Sequence, residues 1–201
     1  MKQQPIAVGI TGASGSAYAL RLLSCLVQAG ENIHLMISQA GQIVLKMESD
    51  LDLPSQPQAV EKILTSHLGA APGQLQVFGR QQWMAPVASG SNPPRAMVVC
   101  PCTTGTLSSI ACGASNDLLE RAADVTLKER RKLILVVRET PFSEIHLENM
   151  LKLSRMGAVI MPANPGFYHK PAGLEEIVDF MVSRILDQLD VAHDLLPRWG
   201  E

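Results

Sequence analysis

The sequence predicts an α/β fold of three layers, in which helices cover both faces of a central parallel sheet. Short runs of β-branched and other apolar residues recur along the chain, and such runs are typical of strands buried on both faces. Stretches with the apolar periodicity of amphipathic helices separate these runs. Glycine and hydroxyl residues stand at several transitions from strand to helix, where the chain must turn tightly. This alternation favours a parallel sheet.

Composition limits the classes of function. The 201 residues suit a single domain, which we expect to span 1–201. The net charge of −2 leaves no basic footprint for nucleic acid. Charged residues make up 18% of the chain, below the usual value of about 25%, so we expect part of the surface to lie in subunit contacts. No apolar run reaches the roughly 18 residues of a membrane span, and the residues before the first predicted strand lack the pattern of a signal peptide, so we expect none. The sequence therefore predicts a cytoplasmic protein with no membrane partner.

The cysteines and the acidic residues do not form a recognisable metal motif. Cys100 and Cys102 flank a proline, but no second pair supplies the spacing that zinc needs, so we expect the four cysteines to be buried thiols. Glu175, Glu176 and Asp179 lie in the first turns of the last predicted helix, where acids are ordinary partners of the helix dipole. We therefore expect no metal site.

Each predicted element has a start or stop signal. Gly30 ends the first helix, Ser38 caps the second, and Gly157 ends the sixth. The segment 81–94 lacks periodicity and is long for a loop inside a domain, which is typical of functional loops. Its Trp83 is either a packing anchor or part of a site. The predicted strands are 6–10, 33–37, 75–78, 96–100, 133–137 and 158–161; the predicted helices are 17–29, 39–47, 58–68, from about 107, 118–131, 143–156 and 173–189.

The first strand leads into Thr11-Gly12-Ala13-Ser14-Gly15-Ser16. Ser14 and Ser16 stand where a helix begins, and the free N–H groups and dipole of a helix N-terminus attract anions. We expect an anion-binding corner here; an ordinary strand-to-helix turn is the alternative. The glycine spacing fits neither the dinucleotide fingerprint nor a Walker loop, which leaves a site for one phosphate or one flavin.

Two further strands end in similar residues. Ser38 follows the second strand, and Thr103-Thr104-Gly105-Thr106 follows the strand that begins at residue 96. Because ligands of open parallel sheets bind at the carboxyl ends of the strands, we expect these corners to form one site. Arg138 and Glu139 follow a fourth buried strand. The guanidinium suits a phosphate, whereas Glu139 is either an acid or base of the reaction or only the partner of Arg138.

Five stretches, taken together and in order, resemble the UbiX-type flavin prenyltransferases, and the resemblance covers nearly the whole chain. Such proteins have a flavodoxin-like (Rossmann-like) fold, form dodecamers, and attach a dimethylallyl group from dimethylallyl phosphate to reduced FMN. The resemblance therefore implies prenylated FMN as a product for UbiD-type decarboxylases in ubiquinone biosynthesis. The five stretches are Thr11–Gly15, Cys100–Thr106, Leu127–Arg131, Val137–Pro141 and Pro165–His169.

The resemblance also implies residue roles. Ser14 and Glu139 would be the catalytic pair, with Glu48, Trp83 and Lys128 as further members of the catalytic site. Dimethylallyl phosphate would bind to Lys128, Arg121, Tyr168 and Arg184, the last of which otherwise only extends along the protein surface. FMN would contact Gly12, Ala13, Ser14, Ser38, Thr103, Thr104, Gly105, Thr106 and Arg138.

Two other functions stay open at this point. A flavin-dependent cysteine decarboxylase of the same fold group would carry a different clamp and an asparagine motif, and the stretches 162–168 and 101–106 do not match them. A flavin carrier without chemistry is the third interpretation, and an acid adjacent to Arg138 argues against it.

Overall fold

The computed structural model describes residues 4–197 and 200; the remainder of the predicted domain 1–201 lies outside the described residues. Its sheet is parallel throughout, with the strand order β3-β2-β1-β4-β5-β6. The strands are β1 (Ile6–Ile10), β2 (Ile33–Ile37), β3 (Leu75–Phe78), β4 (Ala96–Cys102), β5 (Lys132–Val137) and β6 (Val159–Ile160). The helices are α1 (Ser16–Gln28), α2 (Gln39–Glu48), α3 (Pro57–Leu68), α4 (Thr104–Ala111), α5 (Leu118–Lys128), α6 (Glu144–Arg155) and α7 (Leu174–Leu189). A short 3₁₀ turn spans Pro86–Ala88.

Side chains of successive strand residues point to opposite faces of the sheet and supply two separate cores. In β1, Ile6 and Val8 pack in one core and Ala7 in the other. The first core includes residues of α1, α2, α3 and α7, and the second includes residues of α4, α5 and α6. These are the three layers that the sequence predicts.

The strand order reverses between β1 and β4. Ile6 of β1 pairs with Ile33 on one side and with Ala96 on the other. Loops at such a switch point diverge toward opposite faces and leave a crevice at the carboxyl ends of the strands. The loops after β1 and β4 therefore face each other across this crevice.

Four predicted elements have wrong boundaries. The strand predicted for 96–100 continues to Cys102, and α4 begins at Thr104 rather than near Leu107, because the Thr103 side chain caps the helix there. Helix α5 ends at Lys128 rather than Arg131, and Arg130 has a left-handed backbone with φ of 55°. The last strand is only Val159–Ile160, although the amide of Met161 still donates to the carbonyl of Leu135.

The cysteines are free thiols, and three of the four are buried. Burial raises the pKa of the Cys102 thiol to about 12 and raises that of Cys100 as well. Cys112 is exposed at the end of α4, so the prediction of a buried thiol is wrong at this position. Cys112 is the C-cap residue of α4, so it follows the part of the helix that packs in the second core.

Three structural features bear on the remaining expectations. Asp179 on α7 accepts two hydrogen bonds from the Arg21 guanidinium on α1, at 2.6 and 3.0 Å, so this acid ties two helices together. Within residues 4–197 and 200, no group of three His, Cys, Asp or Glu side chains is arranged to hold a metal ion. None of the described helices is long and apolar enough to span a bilayer.

Candidate active site

The loop after β1 brings Ser14 to the surface at the switch point. Gly15 has φ of 117°, a conformation open to glycine, and this lets the chain turn into α1. Gly12 packs directly on α2, since an added Cβ atom would lie 2.4 Å from that of Ala40. Ala13 is buried beneath the loop, whereas Ser14 is exposed. The loop therefore presents Ser14 on a tightly held backbone.

The anion at the start of α1 is the carboxylate of Glu48. One of its oxygens, Oε2, accepts hydrogen bonds from the amides of Gly15 and Ser16 at 2.9 and 2.8 Å. Its partial burial alone would raise the pKa, but hydrogen bonds from the Ser14 hydroxyl, the two amides and the Ser16 hydroxyl outweigh this and lower the pKa to about 2. The predicted anion-binding corner is therefore occupied by the chain itself, and no side-chain oxygen of Ser14 or Ser16 caps the helix.

The loop after β4 provides a second helix start. The side chain of Thr103 accepts a hydrogen bond from the Thr106 amide at 3.1 Å and its hydroxyl donates to that of Thr106 at 3.0 Å. The first amides of a helix, here those of Thr104 and Gly105, have no acceptor within the helix. Open space lies beside Gly105, where an added Cβ atom would meet nothing closer than the Thr103 hydroxyl at 3.9 Å. Hydroxyls, free amides and space suit the polar part of a flavin.

Thr11 joins these two loops. Its hydroxyl donates to the Pro101 carbonyl at 2.7 Å and accepts from the Thr103 amide at 2.9 Å. Thr11 was not among the predicted site residues, although a threonine directly after an apolar strand was a visible signal. Because Thr11 is buried, these bonds fix the spacing of the two loops.

Arg138 and Glu139 reach the same crevice from the end of β5. The Nε–H group of Arg138 donates to the Ser14 carbonyl at 3.2 Å. The carboxylate of Glu139 accepts from the Thr104 hydroxyl at 3.5 Å and from the Thr140 amide at 3.1 Å. Among the described residues no ion pair joins Arg138 to Glu139, so Glu139 is not merely the partner of its neighbour.

Ser38 completes the crevice on the side of β2. Its amide donates to the Ile10 carbonyl at 2.9 Å, and its side chain accepts from the Gly41 amide at 3.0 Å, which caps α2 as the sequence predicts. The structure thus brings Gly12, Ala13, Ser14, Ser38, Glu48, Thr103, Thr104, Gly105, Thr106, Arg138 and Glu139 to the carboxyl ends of β1, β2, β4 and β5.

Tyr168 and Arg184 lie in a second cluster. They line a cavity of about 660 Å³ between α7 and the loop after β6, although they lie 16 positions apart in the sequence. The Tyr168 ring packs edge-on against Phe180 at 5.8 Å, and His169 stacks on the same ring at 5.6 Å. Arg184 donates to Asp187 at 2.6 Å. Asp187 was also not among the predicted site residues, although its spacing from Arg184 suits a pair on one helix face.

Lys128, Arg121 and Trp83 lie apart from both clusters within one chain. Lys128 ends α5 just before β5 begins, so it stands at the amino edge of the sheet and pairs with Glu129. Arg121 donates to the Ala88 carbonyl at 3.1 Å, on the face of the sheet opposite α7. The Trp83 side chain belongs to the irregular segment and is 44% exposed.

Comparison with known proteins gives the family. A family model described as Flavoprotein matches residues 1–186. Flavin prenyltransferase UbiX of Pseudomonas aeruginosa is 61% identical over 196 residues, which cover 98% of this chain and 94% of that protein. The chain belongs to the UbiX family of flavin prenyltransferases.

Solved UbiX structures share the fold along the whole chain. A crystal structure of AnUbiX (PadA1) in complex with FMN and dimethylallyl pyrophosphate matches with a TM-score of 0.88 and 39% identity, covering 100% of this chain and 99% of that one. A dodecameric FMN-dependent UbiX-like decarboxylase from Escherichia coli O157:H7 matches with a TM-score of 0.85 and 37% identity, covering 98% and 99%. The predicted family, enzyme class and flavodoxin-like fold are confirmed, and the predicted cofactor is confirmed as a flavin.

Proposed function

We propose that this chain joins the dimethylallyl group of dimethylallyl phosphate to N5 and C6 of reduced FMN. Loss of phosphate with the allylic C–O bond would allow a carbon bond to N5, and protonation of the remaining C=C bond would allow its tertiary carbon to bond to C6. The flavin would lose one proton from N5 and one from C6 to a base; of these two, the alkene carbon would gain one and the departing phosphate the other. The observation that carries the proposal is the convergence of Ser14, Arg138 and Glu139 at the switch point, where Arg138 contacts the Ser14 loop and Glu139 the start of α4. Reduced FMN supplies the nucleophilic centres. The residues of the chain bind and orient the two substrates and remove a proton from the flavin.

The crevice residues hold the flavin in this proposal. Hydroxyl groups of Ser38, Thr103, Thr104 and Thr106 and the free amides at the start of α4 serve its phosphate and ribityl oxygens. The loop of Gly12, Ala13 and Ser14 supports the ring from one side. Gly105 leaves the space that the cofactor needs.

Glu139 acts as the general base for ring closure. A base must lie within hydrogen-bond reach of the proton that it removes, and among residues 4–197 and 200 the Glu139 carboxylate at the crevice contacts only Thr104 and Thr140. Ser14 and Glu48 act as a pair, because Glu48 accepts from the Ser14 hydroxyl and remains ionised with a pKa of about 2. An ionised acceptor keeps the hydroxyl oriented.

The departing phosphate binds to Tyr168 and Arg184, with Arg138 nearby. Cationic and phenolic donors stabilise the charge that develops as the C–O bond breaks, and aromatic faces stabilise the allylic cation. A monophosphate leaving group needs no magnesium motif, in line with the proposal of a metal-independent reaction.

Lys128, Arg121 and Trp83 enter the site from neighbouring copies of the chain in our proposal. Within one chain Lys128 lies at the amino edge of the sheet, whereas the crevice lies at the carboxyl edge. A homo-oligomer, which we propose to be a dodecamer, would bring the two edges of different subunits together. The UbiX-like protein of Escherichia coli O157:H7 is dodecameric, which supports this proposal.

The product would serve an enzyme that uses the modified flavin. We propose a UbiD-type decarboxylase as the recipient, ubiquinone biosynthesis as the setting and the cytoplasm as the location. The proposal includes neither a nucleic-acid partner nor a membrane partner.

One assay tests the proposed reaction. Purified protein, reduced FMN and dimethylallyl phosphate are incubated without oxygen, and the flavin is followed by mass and absorbance. A flavin heavier by one C₅ unit is the expected product, and unchanged FMN would contradict the proposal. The related E. coli protein is named a decarboxylase, so a second reaction gives the purified chain a cysteinyl peptide. Loss of carbon dioxide from the peptide would favour a flavin-dependent cysteine decarboxylase.

A further inference from the structure

Asp187 on α7 joins two basic side chains that come from different parts of the chain. Its Oδ2 atom accepts a hydrogen bond from Nη1 of Arg184 at 2.6 Å, and its Oδ1 atom lies 3.2 Å from Nε2 of His193. Arg184, Asp187 and His193 all line the cavity between α7 and the loop after β6. The carboxylate is thus held from two sides at the wall of one cavity.

The hydrogen bonds of His193 define its tautomer. The amide of Leu195 donates to Nδ1 at 3.4 Å, so a neutral ring carries its proton on Nε2 and donates it to Asp187. The His193 side chain is 14% exposed, whereas that of Arg184 is 55% exposed. A largely covered ring on the segment after α7 therefore anchors the carboxylate that holds an open guanidinium.

The pair of Asp187 and Arg184 contributes little to stability. Exposed ion pairs gain modest Coulomb energy and lose side-chain entropy, and these two side chains are 35% and 55% exposed. The contact between Asp187 and Arg184 matters more for the donors that it leaves open on the guanidinium. Asp187 engages only Nη1 of the guanidinium, so the donors at Nε and Nη2 stay available to bind an oxyanion at two points.

We propose that Asp187 is a positioning residue for Arg184, which fixes the guanidinium so that its second edge meets the phosphate of the prenyl substrate. This proposal rests on the proposed function. His193 holds Asp187 in place from the segment after α7, and Tyr168 and His169 form the facing wall of the cavity. A long arginine side chain without this anchor would lose rotamer freedom on binding phosphate, and that loss weakens binding.

Coulomb repulsion between the Asp187 carboxylate and a bound phosphate acts in the opposite direction. The side chains of Arg184 and Asp187 are 55% and 35% exposed to water, which reduces repulsion between charges that do not touch. In our proposal the gain from orienting Arg184 is therefore larger than the repulsion between Asp187 and the phosphate. Substitution of Asp187 distinguishes orientation from repulsion. Loss of orientation weakens phosphate binding, whereas relief of repulsion strengthens it.

The test compares Asp187→Asn with two other variants of the same assembled protein. Asp187→Glu restores the carboxylate, and Asp190→Asn removes an equal charge at the end of the same helix, where Asp190 pairs with Lys132 at 3.1 Å. We expect Asp187→Asn to raise KM for dimethylallyl phosphate by up to about tenfold, the scale of immobilising one long side chain, and to lower kcat as well, because Arg184 also stabilises the departing phosphate; FMN affinity should stay nearly unchanged. Asp187→Glu recovers part of the loss, and Asp190→Asn behaves as the wild type.

An Arg184→Ala background shows whether Asp187 acts through Arg184. There, Asp187→Asn should have no further effect on KM, because the group that it orients is gone. Calorimetric titration with inorganic phosphate gives a readout independent of turnover, in which Asp187→Asn should weaken binding and Asp190→Asn should not.

Two results would overturn the role of Asp187: unchanged or tighter phosphate binding in Asp187→Asn, or an equal loss when Arg184 is already absent. Failure of the wild type to use dimethylallyl phosphate would instead contradict the proposed function, and the phosphate titration would still decide the role of Asp187.

Discussion

Glu139 is the residue whose role can be tested most directly. Its two contacts, to the Thr104 hydroxyl and the Thr140 amide, do not need a negative charge, so Glu139→Gln should keep the fold and FMN binding. As a general base contributes about 10²- to 10⁴-fold, ring closure should slow by that factor and a partly reacted flavin should accumulate. Rapid quenching followed by mass analysis measures this. Glu148→Gln, on the exposed face of α6, is the matched control, and an equally fast Glu139→Gln enzyme would remove Glu139 from the mechanism.

Glu48 should give the protein an acid-sensitive component of stability. Its pKa falls from 4.5 to about 2 in the folded chain, so the folded state holds the carboxylate ionised where the unfolded state is already protonated. This stability is fully present above about pH 4.5 and is lost as the pH falls toward 2. Thermal unfolding of the wild type and of Glu48→Gln should therefore differ most near pH 6. The difference should shrink at low pH; a constant difference would show that the carboxylate charge is not responsible.

At the scale of elements, the start of α4 links stability with flavin binding. Thr103 caps this helix through its side chain, and losing such a cap costs about 1 kcal/mol. Thr103→Ala should lower the free energy of unfolding by that amount and weaken FMN binding, because the first turn of α4 would no longer be fixed. Thr103→Ser keeps the hydroxyl and should behave as the wild type. Chemical denaturation and FMN titration measure the two effects; a stable Thr103→Ala protein with normal FMN affinity would exclude this link.

The elements that the sequence predicts best are those with strong local signals. Strands β1, β2 and β3 have the predicted bounds because continuous apolar runs end at polar or turn residues. The start of α4 was placed too late because Thr-Thr-Gly-Thr resembles a loop, whereas the Thr103 cap and the bonds of Thr11 to Pro101 and Thr103 are set by tertiary contact.

In the candidate site, too, local sequence signals predict some features, whereas tertiary contacts decide others. Glycine and hydroxyl residues after parallel strands predict a site at the carboxyl edge, and the structure brings them to one crevice. The sequence could not predict that Glu48 would occupy the start of α1, because its contact with Gly15 spans 33 residues. The distance of Lys128 from this crevice also depends on topology, since α5 runs back to the amino edge of the sheet.

At the scale of the whole molecule, apolar side chains on several elements remain uncovered in the single chain. Met84 is 96% exposed and Met47 is 79% exposed, and Ile145 and Leu151 are exposed on α6. Exposed apolar surface on separate elements is typical of protein–protein contacts. We therefore expect light scattering at micromolar concentration to give a mass greater than that of a dimer. A monomeric mass would contradict this expectation and the proposed dodecamer.

An oligomer in which Lys128 serves the crevice of a neighbour makes a further prediction. Glu139→Gln and Lys128→Ala should each be nearly inactive alone. If the two variants are dissociated, mixed in equal amounts and reassembled, some sites pair an intact crevice of one chain with Lys128 of another. Random assortment in a symmetric assembly would make about a quarter of the sites complete, and the activity should recover to that fraction.

Two controls decide whether such recovery reflects shared sites. Mixing the same variants without dissociation should restore nothing, because each oligomer then holds copies of one variant. Mixing Glu139→Gln with Arg138→Ala should also restore nothing, because Arg138 and Glu139 follow the same strand and belong to the crevice of one chain. If reassembled Glu139→Gln and Lys128→Ala stay inactive although light scattering shows mixed oligomers, Lys128 does not act across the interface. Its place at the amino edge, beside Glu129, would then be a structural one.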